Sequence, residues 1–399
     1  MMNSTGRRLV TVRRISEVDP ILGSPCDVVT VDGWKIVVMR QECFYPGQLV
    51  VYFEIDSFLP NSSYFWEYCA ASDMELDNEP GYLVTTNLIH KNLSQGLIFH
   101  PWKFAEVMAE YSRLVAIYPE DVAQEELMKM SFHDVLGVKK WEDKATGDDS
   151  TGSLGLPPIF FPQPGCDRAQ NIPHLFADRG EQTYQITEKL DGVPMTVYLV
   201  EKSSQWFPAL PPLPDHIQQT GSTRLGVCSR QQDIIESSTS CYWNAAKQQR
   251  ILDKIGEIGK NIAVQGELCG STILGNSMGF GPGEHKFYVF DIYDIDNQQR
   301  MQPSQVASIC SRLGWDHAPI ISNGMKLSAF ARDVDDLLAK AEGIGLTGQM
   351  REGLVFKTID AKFAFKAISN SWLLTTGKEV NERPTYAIGF TGEIINSCW

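Results

Sequence analysis

Lys189 stands in the run Thr187-Glu188-Lys189-Leu190-Asp191-Gly192, where a lysine, a carboxylate two residues on and a turn glycine fall together. If Lys189 and Asp191 both lie on the strand that leads in from Thr183, their i,i+2 spacing puts them on one face. A lysine is a poor nucleophile while protonated, and its ordinary pKa is ~10.4. Burial, neighbouring cations or a bound metal lower that value and free the lone pair for attack on an electrophile. Taken alone, Lys-x-Asp-Gly reads as an ion pair beside a turn. Its company sharpens the reading: Gly226-Val227-Cys228-Ser229-Arg230, Val264-Gln265-Gly266-Glu267-Leu268, Phe287-Tyr288-Val289-Phe290-Asp291, Arg351-Glu352-Gly353-Leu354-Val355-Phe356-Lys357 and Phe365-Lys366-Ala367-Ile368-Ser369. Their acids, bases and aromatic suit a phosphate-rich ligand, with hard divalent cations held by carboxylate oxygens and cations neutralising phosphate.

The elements that must position these residues fall into two grammars. From Arg7 to about Pro101, short runs with β-branched or aromatic alternation (8–15, 27–30, 34–40 and 49–55) are punctuated by Pro20, Gly23, Asp32-Gly33 and Pro46-Gly47, which predicts a small closed barrel. Helices are expected over 105–123 and 125–136. The stretch 152–158, followed by Pro162 and Pro164, reads as a linker. Beyond it, strands alternate with amphipathic helices such as 242–255 and 334–342, which predicts a mixed α/β catalytic domain. Residues 204–221 read as a proline-rich surface insertion between two strands.

In order and content the motif series resembles the covalent nucleotidyltransferases, the polynucleotide ligases and mRNA capping enzymes. KLDG looks like motif I, GEL motif III, FYVFD motif IIIa, EGLVFK motif IV and FKAIS motif V. The resemblance implies that Lys189 attacks the α-phosphorus of a nucleotide and expels pyrophosphate. It assigns Asp191, Glu267 and Glu352 to Mg²⁺ or Mn²⁺, mostly through water. Lys366, with Lys357 beside it, would neutralise the α-phosphate, and Lys366 would share catalysis with Lys189. Glu188, Arg230 and Phe290 join the nucleotide-binding set, Phe290 by stacking on the purine.

Domain order selects the branch. DNA ligases and capping enzymes carry an OB-fold barrel after motif V, but only about 25 residues follow Leu374 here, too few for several strands. The small β domain precedes the lysine, an order similar to the Deinococcus-type RNA ligases. That likeness extends over 12–23, 31–38, 51–60, 94–97, 166–171 and 365–374. It implies an α+β chain: an OB-like β-barrel domain with a helical appendage over 1–155, then a ligase/capping-type nucleotidyltransferase domain with antiparallel sheets over 156–399. The implied activity is ATP-dependent RNA ligation, in which AMP passes from Lys189 to a 5′-phosphate end before a 3′-OH displaces it. The implied partner is RNA or an RNA-containing nicked duplex, with no membrane, no obligatory protein partner and a monomeric state. Arg7, Arg8, Arg13 and Arg14 are expected to grip the strand backbone from the barrel. Departures from the family pattern are Gln231 after Arg230, Ile89-His90-Lys91 before SQGL, Ile368 two past Lys366, and the 204–221 insertion. A GTP-using capping-type guanylyltransferase shares the motif order. So does a non-catalytic nucleotide- or RNA-binding protein on a ligase fold, which the retained lysine and carboxylates disfavour.

Composition sets bounds on these readings. The chain of 399 residues is 43% hydrophobic, ordinary for a globular protein and long enough for two domains. No apolar run approaches the ~18 residues of a membrane span, and no apolar h-region follows Arg7-Arg8, which argues against a secretory signal. Nine scattered cysteines lack zinc spacing and read as reduced thiols of an intracellular protein. The net charge of −14 opposes tight non-specific binding of nucleic acid. Its distribution softens that objection, because residues 1–155 carry 13 Lys and Arg against 23 Asp and Glu, while residues 156–399 carry 22 against 26. A local basic groove is compatible with the second half.

Overall fold

The computed structural model describes residues 7–70, 72, 74–141, 152–217, 219, 221–376 and 380–381. Contacts group Met1–Asp143 with Leu373–Trp399 into one compact unit and Lys144–Trp372 into another. The sequence divides the chain at 155, inside the second of these groups, and does not anticipate that the chain's end belongs with its beginning. Val380–Asn381 pairs in parallel with Thr86–Asn87, which is how that end is tied to the first unit.

In the first unit the strand Val10–Pro20 serves two partners. Its first half pairs with Leu49–Phe53, from Val10 opposite Phe53 to Arg14 opposite Leu49. After a bulge between Ile15 and Glu17 its second half pairs with Cys26–Val31. A long strand passed from one neighbour to the next through a bulge bends strongly, which is how a small sheet curls toward a barrel. Trp34–Met39 and Leu97–Phe99 complete the order on either side. Asp32-Gly33 closes the tight hairpin between Val31 and Trp34, with φ of 48° and 81°, the paired positive values that a two-residue hairpin turn demands. The Leu49–Phe53 strand is buried on both faces. Val50 and Tyr52 join Trp34, Val29 and Ile36 inside the curl, while Val51 and Phe53 face the helices Ala105–Val115 and Glu120–Met128. Those helices are shorter than predicted, because Pro119 cannot extend the first and instead opens the second.

The second unit contains two sheets. One has seven strands, in the order Ser153–Gly155, Asp233–Ile234, Thr223–Cys228, Val193–Glu201, Ile262–Gly270, His285–Asp294, Gln299–Arg300, all antiparallel. The other runs Asp167–Arg168, Ala364–Ile368, Gly353–Thr358, Thr183–Lys189, Ile320–Lys326, with only the first pair parallel. Each sheet covers its own apolar core. Helices Cys241–Gln248 and Pro303–Leu313 pack on the first, and Val334–Ala341 on the second. The helix expected over 242–255 breaks at Arg250, whose φ of 56° cannot continue it, and resumes as Ile251–Lys254. In the 204–221 insertion, Trp206, Phe207 and Leu210 cover the apolar cluster of Phe160, Phe161, Tyr198 and Tyr293, so the segment is a packing element as well as a surface one.

Among the described residues no helix is long and apolar enough to cross a membrane. No disulfide joins the eight described cysteines, and Cys398 lies outside the described residues.

Candidate active site

The chain changes sheet at Leu190-Asp191-Gly192, between the end of Thr183–Lys189 and the start of Val193–Glu201. Gly192 is required there by space: a Cβ would stand 2.4 Å from the Leu268 carbonyl oxygen and 2.8 Å from Cys269 Sγ. Alternation then sorts the side chains of the five-stranded sheet. Tyr184 and Ile186 enter the core with Leu354, Phe356, Phe365 and Ala367. Lys189, Lys357 and Lys366 fall on the opposite register and lie outside that core.

Lys189 Nζ donates to Glu352 Oε2 at 2.7 Å, with only 8% of the Glu352 side chain exposed. Glu352, which the resemblance assigns to a divalent cation, is thus buried against the candidate nucleophile. Burial pushes the Glu352 carboxyl above its usual range, opposed by Lys189. Glu267, half-buried on the neighbouring sheet, is pushed up to about 7 by burial against the pull of Lys189, with the charges of Glu352 and Asp191 adding to the rise. Asp191 accepts a hydrogen bond from Ser277 Oγ in the loop after Ile262–Gly270. Burial also depresses the Lys366 ammonium, with Lys189 and Arg168 close enough to add to the effect. Arg230 is exposed at the end of Thr223–Cys228 and lies within electrostatic range of Glu267.

Phe290 owes its position to a β-bulge. Gln265 pairs with Asp291 and Gly266 with Val289, which leaves Phe290 as the extra residue. Val289 and Ile292 both enter the core, so Phe290 and Asp291 are both turned away from it. Phe290 is half-buried beside Leu190, Met278, Tyr288 and Ala318. Asp291 is 5% exposed and draws in two cations, Lys357 Nζ at 2.8 Å and Arg300 Nη1 at 2.9 Å. Lys357 also donates to the Phe290 carbonyl at 2.7 Å and stands 5.9 Å from the ring centroid. Lys357 therefore fastens the sheet under Phe290, a duty absent from the sequence reading.

Glu188 sits on the core side of its strand, and its carboxylate accepts from the Leu346 amide at 2.9 Å. This contact pins the 344–350 hairpin, whose Gly345 lies so near that a Cβ would stand 2.1 Å from Glu188 Oε1. Asp191, Glu267 and Glu352 surround Lys189 electrostatically, yet among the described residues no group of three or more His, Cys, Asp or Glu forms a ready metal cage. Such a donor set fits a hard cation that keeps several waters and shares phosphate oxygens, rather than an all-protein site. Arg168, 8% exposed and paired in register with Lys366, belongs to the constellation but was not singled out from sequence. Its strand of two residues offers no periodicity to read.

Comparison with known proteins agrees with this geometry. The profile of the RNA ligase family matches residues 182–368, and an OB-fold domain profile matches residues 9–101. None of the curated proteins matches. Among solved structures, a Naegleria gruberi RNA ligase variant with ATP and Mn is 30% identical, covers 92% of this chain and 99% of its own, and superposes with a TM-score of 0.69. A lysine-to-methionine variant of the same enzyme with AMP and Mn is 30% identical over 94% of this chain and 100% of its own, with a TM-score of 0.70. The enzyme with pyrophosphate is 31% identical over the same shares, with a TM-score of 0.69. The arginine, lysine and aspartate substituted in that enzyme fall at the same intervals as Arg168, Lys189 and Asp191 here. Its last substituted glutamate and lysine match the interval between Glu352 and Lys366. With its lysine clasped by a buried glutamate where two antiparallel sheets meet, and an OB-fold barrel ahead of them, the chain belongs to the RNA ligase family.

Proposed function

We propose that this chain is an ATP-dependent RNA ligase that joins a 3′-OH to a 5′-phosphate through AMP carried on Lys189. The observation that carries the reading is the 2.7 Å contact between Lys189 Nζ and the buried Glu352 carboxylate. It fixes the amine at the junction of the two sheets, where Glu267, Asp191, Lys366 and Arg168 surround it electrostatically.

In the first step Nζ, having given up its proton, attacks the α-phosphorus. An N–P bond forms, the bond to the bridging oxygen breaks, and pyrophosphate leaves. In the second, a 5′-phosphate oxygen of the RNA attacks the same phosphorus and the lysine nitrogen departs. In the third, the 3′-OH attacks the activated 5′-phosphate, loses its proton and expels AMP. Lys366 and Arg168 neutralise charge on the phosphate oxygens as it spreads in each transfer. Phe290 supplies the aromatic face for adenine. Arg230 meets the departing phosphates. Asp191, Glu267 and Glu352 would hold Mg²⁺ or Mn²⁺, which supplies charge neutralisation between phosphate oxygens. Glu188 acts through the 344–350 hairpin, and Lys357 by bracing Phe290. ATP rather than GTP is supported by the Naegleria complexes with ATP and AMP. The chain works as a monomer inside the cell, with a barrel domain over 1–155 and a nucleotidyltransferase domain over 156–399.

The test is a sealing panel on nicked duplexes carrying RNA or DNA at the 3′-OH side, with ATP and Mn²⁺ or Mg²⁺. The wild-type chain should seal the RNA-terminated nick and Lys189→Met should not. Sealing that survives in Lys189→Met would refute the proposal.

A further inference from the structure

The barrel's N-terminal arginines are bound within their own unit rather than turned to a phosphate backbone. Arg7 pairs with Glu54 at 2.7 Å and with Asp56 at 2.6 Å, and Arg13 pairs with Glu54 at 3.1 Å. Arg8 donates to the Lys129 carbonyl, and Arg14 to the Gly47 carbonyl and Gln124. A different set of polar groups in this unit lines a cavity of about 150 Å³: Lys103, Tyr68, Tyr82, Glu42 and Glu67. All five residues are half-buried. Lys103 Nζ lies over the Phe99 ring, 4.2 Å from its centroid, and among the described residues neither an ion pair nor a hydrogen bond holds it. Burial lowers its ammonium, against the opposing pull of Glu67 and Glu42. Burial raises the Tyr68 phenol, with Tyr82, Glu67 and Glu42 adding to the rise, so the phenol stays neutral. The five groups thus converge on one place and feel one another across it. Among the described residues no hydrogen bond or ion pair joins any two of them.

We propose that this cavity binds the Watson–Crick edge of one unpaired guanine of the RNA substrate, with Lys103 donating to O6 and Glu42 and Glu67 accepting from N1–H and the 2-amino group; the proposal rests on the ligase reading above. A half-buried charge without a partner costs stability, and a ligand that supplies the missing hydrogen bonds offsets that cost. The cavity is small beside the ~300–1,000 Å³ of pockets for whole ligands, and suits a single base. Two carboxylates against one ammonium repel phosphate, which leaves the base as the part of the nucleotide that enters. The pattern of donors and acceptors then selects among the bases. Guanine presents one carbonyl acceptor beside two N–H donor groups, which complements one ammonium and two carboxylates. Adenine and cytosine each offer a single amino donor group and uracil a single N–H, so either leaves a carboxylate unmet. The phenols of Tyr68 and Tyr82 can donate or accept and so do not disturb the pattern. Their rings stand edge-on to one another at 5.3 Å, and Tyr68 edge-on to Phe99 at 5.8 Å, which holds the wall in place before the base arrives. The barrel thus contacts the strand through a base, which agrees with its acidic balance.

The experiment uses the full chain and fluorescently labelled single-stranded RNA of UUG repeats, read by anisotropy, alongside AMP uptake by Lys189. The same RNA is also made with adenine, or with hypoxanthine, in place of every guanine. The wild-type chain should bind the guanine RNA about 5- to 150-fold more tightly than the adenine RNA, the range of one well-matched base edge. Hypoxanthine, which lacks the 2-amino group, should fall between them. Lys103→Met and Glu67→Gln should each reduce the preference for guanine, with AMP uptake equal to wild type as the sign that the chain is folded. Equal affinity of the wild-type chain for the three RNAs overturns the site, as does a preference that both variants keep in full. Free guanosine should displace the guanine RNA only in large excess; displacement at equal concentration would make a free nucleoside the ligand and overturn the assignment to RNA. A wild-type chain that takes up AMP without preferring guanine sinks this site and leaves the ligase reading standing; absent AMP uptake sinks the ligase reading itself.

Discussion

At the scale of single residues, the site concentrates negative charge where solvent is scarce. Glu267 is pushed up from 4.5 to about 7, so in the metal-free chain the unfolded state releases this proton earlier than the folded state does. Stability must therefore fall as pH climbs through that interval, because the folded form holds the proton that the unfolded form has lost. Glu267→Gln should raise the melting temperature of the metal-free protein at pH 8 and leave it little changed near pH 4, as read by calorimetry at both values. An equal gain at both would show that packing, not charge, was altered. Binding of Mg²⁺ or Mn²⁺ to the metal-free chain, which must displace that proton, should tighten as pH rises through about 7, as read by titration calorimetry. Phe290, expected to stack on the purine, poses a second question at this scale, since its strand also feeds the core. Its half-buried place on a bulge favours stacking. Phe290→Ala should weaken ATP binding by about 1–3 kcal/mol, measured by titration calorimetry, with Phe290→Tyr close to wild type.

At the scale of elements, the turn between the two sheets is the critical piece. Gly192→Ala would press a methyl group onto the Leu268 carbonyl and Glu267. Overpacking of this kind costs about 1–3 kcal/mol, and here it should also move Lys189 relative to Glu267. Denaturant unfolding should show the loss, and AMP uptake should fall with it. Trp206→Ala uncovers the Phe160 and Phe161 cluster, far in sequence from the motifs, and should lower stability while adenylation persists. What was legible in the sequence follows from how local each signal is. KLDG, GEL, EGLVFK and FKAIS announce themselves because each is a short contiguous run, although Asp191 and Glu352 lie just off the strand ends rather than on one face with Lys189, and the structure brings Lys189, Glu267, Glu352 and Lys366 together. Arg168 escaped notice because its position depends on a two-residue parallel pairing with a strand nearly 200 residues away. The side of the strand that Glu188 occupies was implicit in alternation, yet its partner, the Leu346 amide, lies on a hairpin that no motif marks. The bulge at Phe290 and the bond from Lys357 to Asp291 depend on register between strands, which one strand's residues do not reveal.

At the scale of the whole molecule, each unit carries its own core and its own charge logic. In the first, Glu54 holds Arg7 and Arg13 together with 2% of its side chain exposed. Removing one partner from a buried pair typically costs about 3–5 kcal/mol, because a charge is left behind without its counterion. Glu54→Ala should destabilise the first unit by that order in chemical denaturation, while AMP uptake at Lys189, in the second unit, stays intact. The acidic excess of residues 1–155 belongs to a unit in which Arg7 and Arg13 are held by Glu54, and the second unit, nearer to neutrality, carries the phosphate chemistry. That chemistry has one irreducible event, the capture of AMP by a single amine. Intact-mass spectrometry of the purified full chain after incubation with ATP and Mn²⁺ or Mg²⁺, followed by peptide mapping, tests it directly. One AMP per chain should be found on Lys189, absent from Lys189→Met and removed by added pyrophosphate. A chain that never gains AMP, or gains it on another residue while Lys189→Met gains it equally, would contradict the mechanism at its root.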